Sequence, residues 1–217
     1  MSTPTSDNRT STWVGLALGV VLLGLVAAFA IALPKAADAD EGAEEPAAST
    51  GPLTLPDTLP GGFTAADLPE AFTGDYAARA DEISKTQEAA REHGDQVLAD
   101  VLGAPAVTRT YASEDLHAVF VQGFRAAGGA FAPDSLPDPA TAQGQPVPEL
   151  VAVGDGACIV TRQAAQAGAA VDPTAPPTYA QCQVSEGELT VQVGAQNLEA
   201  EDMVDIADHV LGLLQDQ

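Results

Sequence analysis

The chain has 217 residues, which suffices for one ordinary domain with extensions. Its residues are 46% hydrophobic but only 5% aromatic, so we expect a core made mainly of Ala, Val and Leu. The 31 Asp and Glu outnumber the 8 Lys and Arg, and the net charge of -23 repels nucleic-acid phosphates and anionic lipid headgroups. The composition therefore excludes both as partners of the folded part.

An uncharged apolar run over residues 13–33 follows a polar head of residues 1–12. At about 1.5 Å per residue, a helix over this run is about 30 Å long, which is the thickness of the hydrocarbon core of a bilayer. We predict a transmembrane helix here, with Trp13 at the headgroup level. A cleaved signal peptide is the alternative, because residues 30–32 read Ala-Ile-Ala, but the run is longer than the apolar part of such peptides.

The orientation of this helix is decided by the two cysteines, because Arg9 and Lys35 flank it symmetrically and cancel under the positive-inside rule. Paired cysteines persist in oxidising compartments, so we place residues 1–12 in the cytoplasm and the rest of the chain outside. The prediction is a single-pass protein of the cell membrane with an extracytoplasmic C-terminal domain. Gly15 and Gly19 have the GxxxG spacing that permits close helix packing, which leaves a homodimer open.

Residues 34–72 are predicted as a spacer. Residues 35–54 are acidic and nearly free of large apolar side chains, so we expect a disordered tether. Residues 55–58 read Leu-Pro-Asp-Thr, as in the LPxTG signal for attachment to cell walls, but Leu59 replaces the Gly and the apolar run lies upstream. We therefore interpret them as a stiff part of the spacer. Three apolar side chains would pin the end of the spacer to the domain: Phe63, Leu68 and Phe72.

The predicted domain covers residues 73–217 and begins with a helix over residues 75–102. Gly103 and Pro105 are typical of a helix end, whereas Gly94 lowers helix propensity and would allow two shorter helices. Apolar residues recur at seven-residue intervals and define the expected buried stripe. The stripe consists of Tyr76, Ile83, Ala90 and Val97, with Val101 beside them.

Alternating polar and apolar residues then predict strands. Residues 107–124 alternate around the polar turn Ser113-Glu114-Asp115 and indicate a hairpin. Residues 149–163 supply one or two further strands around a glycine-rich turn. Residues 178–195 form the clearest hairpin, with a turn at Glu186-Gly187. Its buried face is predicted to contain Ala180, Cys182, Val184, Leu189, Val191 and Val193.

The two cysteines are predicted to form a disulfide between neighbouring strands. Cys182 faces the core, beside Val184 and opposite Val191, and Cys158 lies in another predicted strand. The expected Cα separation is about 4.4–6.8 Å. The bridge would close a loop of about 25 residues, which includes the Ala-, Gly- and Pro-rich residues 164–177. Two free buried thiols are the alternative.

Asn197 is the predicted N-cap of a last helix, because acidic residues follow it where they suit the positive end of the helix dipole. The apolar stripe of this helix is Met203, Ile206, Val210 and Leu213. A helix, then four or five antiparallel strands, then a helix gives an α+β fold. In this fold a small antiparallel sheet is flanked by an N-terminal and a C-terminal helix.

No catalytic, cofactor-binding or metal-binding residues are predicted. His93, His117 and His209 are far apart, and none has a Cys, His or Glu at the spacing of zinc ligands. Ser113 and Asp115 crowd His117 in one turn, but a hairpin tip offers neither convergent partners nor the oxyanion hole of a catalytic triad. The glycine-rich turn of the second hairpin lacks the further glycines of a phosphate-binding loop.

The chain has a short head, a span over residues 13–33, an acidic spacer, and strands around Cys158 and Cys182, in this order. In this architecture it resembles the single-pass envelope proteins common in actinobacteria. The resemblance covers the architecture of nearly the whole chain and implies no active site. We predict a non-enzymatic, membrane-tethered domain that binds an envelope protein or a small ligand. The alternatives are an envelope enzyme that uses carboxylates, and a structural or assembly partner in a membrane complex. A deep cleft that holds two facing carboxylates or a His with a perturbed pKa would favour the enzyme, and a shallow apolar surface patch would favour binding.

Overall fold

The computed structural model describes residues 51–129, 131–138, 146–162 and 176–217. The predicted transmembrane helix over residues 13–33 lies outside these ranges, as do residues 35–50 of the acidic spacer. Among the helices that the structure describes, none combines the length and the apolar character that crossing a membrane requires.

The strands form one antiparallel sheet of eight, in the order β1-β2-β3-β4-β8-β7-β6-β5. The α+β class is confirmed, but the prediction of four or five strands is wrong. Two additional strands, β1 and β2, have only two and three residues, too short for an alternating pattern to be recognised. The strands are β1 (Thr58–Leu59), β2 (Phe63–Ala65), β3 (Ala106–Ala112), β4 (Ala118–Arg125), β5 (Pro148–Val153), β6 (Gly156–Thr161), β7 (Tyr179–Glu186) and β8 (Leu189–Ala195).

Two long helices accompany the sheet. Helix α1 spans Ala80–Leu102 after a 3-10 helix over Gly74–Arg79, and helix α2 spans Ala200–Gln215. The predicted end of α1 is confirmed, because Gly103 adopts the left-handed conformation and its N–H donates to the Ala99 carbonyl over 2.8 Å. The helix runs without interruption through the glycine in its middle.

One face of the sheet, the covered face, packs against α2 and the chain that precedes α1. Val204 lies against Gly156 in β6, and Leu214 lies against Gly123 in β4, so α2 crosses this face from one strand group to the other. The alternation of the strands supplies the apolar side chains that this packing buries. They include Val107, Tyr111, Val119, Val121, Cys158, Val160, Ala180, Cys182, Val184, Leu189, Val191 and Val193.

The core also takes in part of the segment that we predicted as spacer. Leu53, Leu55 and Leu59 are buried, and Phe63 is buried as a side chain of β2. The prolines in this segment do not prevent pairing, because none of them lies within β1 or β2. The folded part therefore begins near residue 53 and not at residue 73.

Asp67 connects α1 to the covered face through two arginines. Its Oδ1 accepts a hydrogen bond from Nε of Arg109 over 2.9 Å and forms an ion pair with Nη2 at the same distance, and its Oδ2 lies 2.9 Å from Nε of Arg91 in α1. Arg109 also donates to the Leu55 and Pro56 carbonyls, at 3.0 and 2.9 Å. Burial opposes the charge on Arg109, but its hydrogen bond and attraction to Asp67 outweigh this and raise its pKa. The cluster fixes both the helix and the N-terminal segment on β3.

The predicted apolar stripe of α1 is wrong. Tyr76, Ala90, Val97 and Val101 are exposed, and only Ile83 is partly buried. The helix meets only the outer part of the sheet and attaches there by polar contacts, so its apolar residues are not drawn inward. The residues it turns towards the sheet and the Asp67 cluster are Ala80, Ser84, Arg91, Gly94 and Asp95.

Gly94 is required where α1 approaches β3. A Cβ at this position would lie 2.6 Å from Oγ1 of Thr108, and that hydroxyl is held by a 3.0 Å bond to Asp95. We expect Gly94→Ala to lower the free energy of unfolding by about 1–2 kcal/mol, because the clash exceeds the gain in helix propensity. Gly212→Ala in α2 is the control, since nothing lies within 4 Å, and it should stabilise by about 0.4–1 kcal/mol. Urea denaturation of both variants measures this, and stabilisation by Gly94→Ala would contradict the close approach.

The predicted start of α2 is also corrected. The helix begins at Ala200 with Glu199 as N-cap, and no side chain caps it. Asn197 instead occupies the left-handed region with φ of 56°, in the turn that leads from β8. Met203, Ile206 and Val210 are buried as predicted, but the fourth member of the stripe is Leu214 and not Leu213.

The predicted disulfide is present between Cys158 and Cys182, which are directly opposed on β6 and β7. Their Cα atoms are 4.0 Å apart, slightly closer than expected, as suits a pair that face each other on neighbouring strands. Cys182 lies opposite Val193 and not opposite Val191, because Glu186 pairs with Leu189 at the turn. Both cysteines are fully buried on the covered face.

Candidate binding site on the open face of the sheet

The second face of the sheet, the open face, receives no charged side chain from its strands. α1 covers it at β3, where Gly94 meets Thr108, and the segment after β4 covers its β7–β8 turn end, where the Thr190 hydroxyl donates to the Ala126 carbonyl over 2.8 Å. None of the residues that the eight strands place on this face is Asp, Glu, Lys or Arg. A solvated face of an antiparallel sheet normally carries polar residues, and this chain has 31 acidic ones. The absence of charge therefore distinguishes this face from the rest of the molecule.

Four glutamines form a hydrogen-bonded cluster in the middle of the open face. The Gln122 amide in β4 donates to Oε1 of Gln192 in β8 over 2.6 Å, and the Gln192 amide donates to Oε1 of Gln183 over 2.8 Å. Gln181 reaches the same Gln192 oxygen at 3.5 Å, and Gln183 donates to the Gly129 carbonyl over 3.4 Å. The cluster fixes amide groups across three neighbouring strands, β4, β8 and β7.

A groove of about 330 Å³ lies at one end of the open face, beside the tip of the β3–β4 hairpin. This volume falls within the range of small-molecule sites, about 300–1,000 Å³. Three of its walls are large apolar side chains that remain 41%, 43% and 45% exposed: Leu116, Phe120 and Tyr179. The complete lining is Thr110, Leu116, His117, Ala118, Phe120, Tyr179, Gly194, Ala195, Gln196 and Asn197.

Tyr179 is positioned by a glycine on the neighbouring strand. A Cβ on Gly194 would lie 3.2 Å from the Tyr179 hydroxyl, so the phenol end of the ring rests where a side chain would otherwise stand. Aromatic side chains commonly cover glycines in this way on sheets. Since the ring is still 45% exposed, it offers an apolar surface at the groove.

The groove lining also includes residues with a strained backbone conformation. Leu116 and Asn197 are the two non-glycine residues with positive φ among the described residues, with φ of 60° and 56°, and both line the groove. Leu116 is held by its N–H, which donates to the Ser113 carbonyl over 2.9 Å. Such conformations cost about 1–3 kcal/mol each and concentrate at functional sites. A leucine in this position is unusual, because turns of this kind favour Gly, Asn or Asp.

The structure separates most of the residues that sequence analysis considered. His93 and His209 lie on exposed helix surfaces, while His117 lines the groove. Ser113 accepts a hydrogen bond from the His117 N–H at its Oγ over 3.1 Å, so it closes the turn. Asp115 follows in the same turn but does not line the groove. The described residues bring no three His, Cys, Asp or Glu together as metal ligands.

No acidic residue belongs to the groove lining. On α2, which lies over the covered face, partial burial raises the pKa of Asp208, and the neighbouring charges of Asp155 and Asp205 raise it further. Glu114 lies in the hairpin turn, next to the groove but outside its lining. The groove therefore contains one imidazole and no carboxylate.

The residues that form this site were not predicted as functional. The alternation in residues 107–124 and 178–195 predicts which side chains share a face, and so places Phe120 with Gln122. It does not indicate that the face stays open, because that depends on where α1 docks. Comparison of the chain with protein-family models, with curated proteins and with solved structures gave no match.

Proposed function

We propose that this protein is a non-enzymatic, membrane-tethered domain outside the cell, which binds an uncharged ligand of the envelope in the groove and on the adjoining open face. The observation that carries the proposal is the open face itself. It exposes Phe120 and Tyr179 and bears amides without a single charged side chain from its strands. Apolar grooves with a few polar groups are typical of binding sites.

Binding explains the groove better than catalysis does. General acid-base or nucleophilic chemistry needs a titratable group within hydrogen-bond reach of a partner that orients or deprotonates it. The lining offers His117 but no carboxylate or thiol beside it. Leu116, Phe120 and Tyr179 supply contact area instead, which is the role of apolar groups in recognition.

The two ends of the described domain lie together, away from the groove. The Gln217 side chain accepts from the Thr54 N–H over 2.7 Å and donates to the Thr54 carbonyl over 3.0 Å, so the start and the end of the domain meet. Gln215 bonds to Glu186, which places this junction at the β7–β8 turn. The groove lies at the opposite end of these strands, beside Gly194 and Tyr179.

Amide NMR of the labelled full chain, in a detergent without sugar headgroups, tests the binding function. We expect a total envelope extract of the source cells to shift the signals of Phe120, Tyr179 and Gly194, whereas a cytosolic extract should leave them unchanged. Tyr76 is the internal control, because it is an equally exposed tyrosine outside the face. If the envelope extract shifts no groove signal, or shifts Tyr76 as much, the proposed site is wrong.

The proposed location has its own test. We expect a reporter fused after Gln217 to be active only when it is an enzyme that functions outside the cytoplasm, because the apolar run over residues 13–33 should leave the C-terminal part there. A paired reporter that functions only in the cytoplasm is the control. Activity of the cytoplasmic reporter would contradict both the orientation and the oxidising compartment that we propose for the disulfide.

One observation favours the alternative of an assembly partner. Val97, Val101 and Leu102 are exposed near the C-terminal end of α1, and Val101 is 77% exposed. Replacing both valines by Ser should leave the sedimentation coefficient of the full chain unchanged under our proposal. A shift to a smaller species would favour assembly through α1 instead.

A further inference from the structure

We propose that the ligand of the open face is an uncharged polysaccharide segment. This inference rests on the proposed binding function and adds the chemical class of the ligand. Its basis is the combination of exposed aromatic rings with a fixed group of amides, in a region that the strands leave free of charge.

Sugar chains combine apolar and hydrogen-bonding groups, and the open face offers partners for both. The C–H groups on the face of a sugar ring form an apolar patch that fits against an aromatic ring, and the hydroxyls around it both donate and accept hydrogen bonds. Tyr179 and Phe120 offer the rings, and both are more than two-fifths exposed. Amide side chains offer a donor and an acceptor together, which is the combination that a hydroxyl requires.

The glutamine cluster retains hydrogen-bonding capacity. In the hydrogen bonds among the described residues, Gln122 and Gln192 each use one of two amide N–H groups, and no donor reaches Oε1 of Gln122 or Gln181. A ligand with hydroxyls can use these groups, whereas an aliphatic ligand would bury them without partners. Sites built to hydrogen-bond a hydroxyl reject analogues that lack it.

The dimensions favour a chain over a single sugar. Phe120 and Gln122 are two residues apart on one strand, which is about 7 Å, and the amide cluster extends over three strands that lie about 4.8 Å apart. The groove and the cluster are therefore continuous over more than one sugar ring. We infer at least two consecutive sugar units in contact with the face.

Charge argues against an acidic or strongly basic ligand. The chain carries -23, so it repels an acidic polymer at a distance. A basic ligand would find no carboxylate among the side chains that the strands place on the open face, and the Asp95 carboxylate of α1 at its β3 edge is already bonded to Thr108. An uncharged polymer is not repelled by the net charge of the chain and needs no carboxylate to bind it.

The test uses polysaccharide from the envelope of the source cells, freed of protein and lipid and split by anion exchange into neutral and acidic fractions. Titration of the labelled full chain should show shifts at Phe120 and Gly194 with the neutral fraction. Periodate, which cleaves vicinal diols, should abolish them. Tyr179→Ala should weaken binding at least tenfold, while Tyr179→Phe, which keeps the ring, should bind within threefold of wild type. Tyr76→Ala is the matched control and should bind normally.

The outcomes separate this inference from the proposed function. If the protein or lipid removed from the envelope extract shifts the groove signals and the neutral polysaccharide does not, the ligand class is wrong but the binding function stands. Binding of the acidic fraction alone would also overturn it, because it contradicts the charge argument. If no envelope fraction shifts the groove signals, both proposals fail. Thermal unfolding of each variant identifies any loss of binding that comes from unfolding.

Discussion

Replacing Asp67 by Asn should lower the free energy of unfolding by about 3 kcal/mol, because it leaves two arginine side chains without the carboxylate that holds them. The Asp67 side chain is 7% exposed and that of Arg109 is 11% exposed, so water replaces little of the lost interaction. Arg109 keeps its bonds to the Leu55 and Pro56 carbonyls, which places the effect at the lower end of the range for broken buried ion pairs. Urea denaturation measures the loss.

Asp57→Asn is the matched control for this prediction. Asp57 also contacts Arg109, at 3.0 Å, but its side chain is 73% exposed. Solvent screens such a pair, so this variant should lose less than about 1 kcal/mol. Equal effects of the two variants would show that Asp67 does not fasten α1 and the N-terminal segment to β3.

Replacing both Cys158 and Cys182 by Ala should lower the free energy of unfolding by about 3 kcal/mol, within a range of about 2–5. The bridge restrains a loop with a sequence separation of 24, and it joins two neighbouring strands at fully buried positions. Few aromatic residues stabilise this domain, so the loss is a large part of an ordinary total of about 5–15 kcal/mol. Urea denaturation in the absence of reductant measures the change.

The control is the wild-type chain under strong reductant, which keeps the side chains and removes only the covalent bond. It should unfold near the midpoint of the double variant. Ligand binding below that midpoint should persist in both, because the cysteines point to the covered face and not to the groove. Two titratable thiols in denatured, unreduced protein would refute the bridge, and an unchanged midpoint would refute its role in stability.

The sequence predicted correctly those elements in which a single periodicity of apolar residues dominates. Residues 178–195 alternate cleanly, and the structure buries all six side chains predicted for one face of that hairpin. The pairing of Cys158 with Cys182 follows from the same alternation. In these places the side chains that are apolar are also the ones that face the core, so local pattern and tertiary packing agree.

Where tertiary contacts override the local pattern, the prediction was wrong. Seven-residue spacing over residues 75–102 pointed to Tyr76 and Val97, but α1 is attached by Asp67, Arg91 and the contact of Gly94 with Thr108. Ion pairs between distant segments leave no periodic signal. The open face was missed for the same reason, because its exposure depends on α1 docking at β3 and not on any residue of β4 or β7.

The most direct test of the binding claim is a photo-crosslink at the groove in living cells. A benzoylphenylalanine replaces Phe120 in one variant and Tyr76 in another, two aromatic positions of equal exposure. After irradiation, the chain is purified and its mass is measured before and after treatment with periodate. We expect adducts on the variant at position 120 alone, and we expect periodate to reduce their added mass. Absence of an adduct at position 120, or equal labelling at position 76, would contradict it.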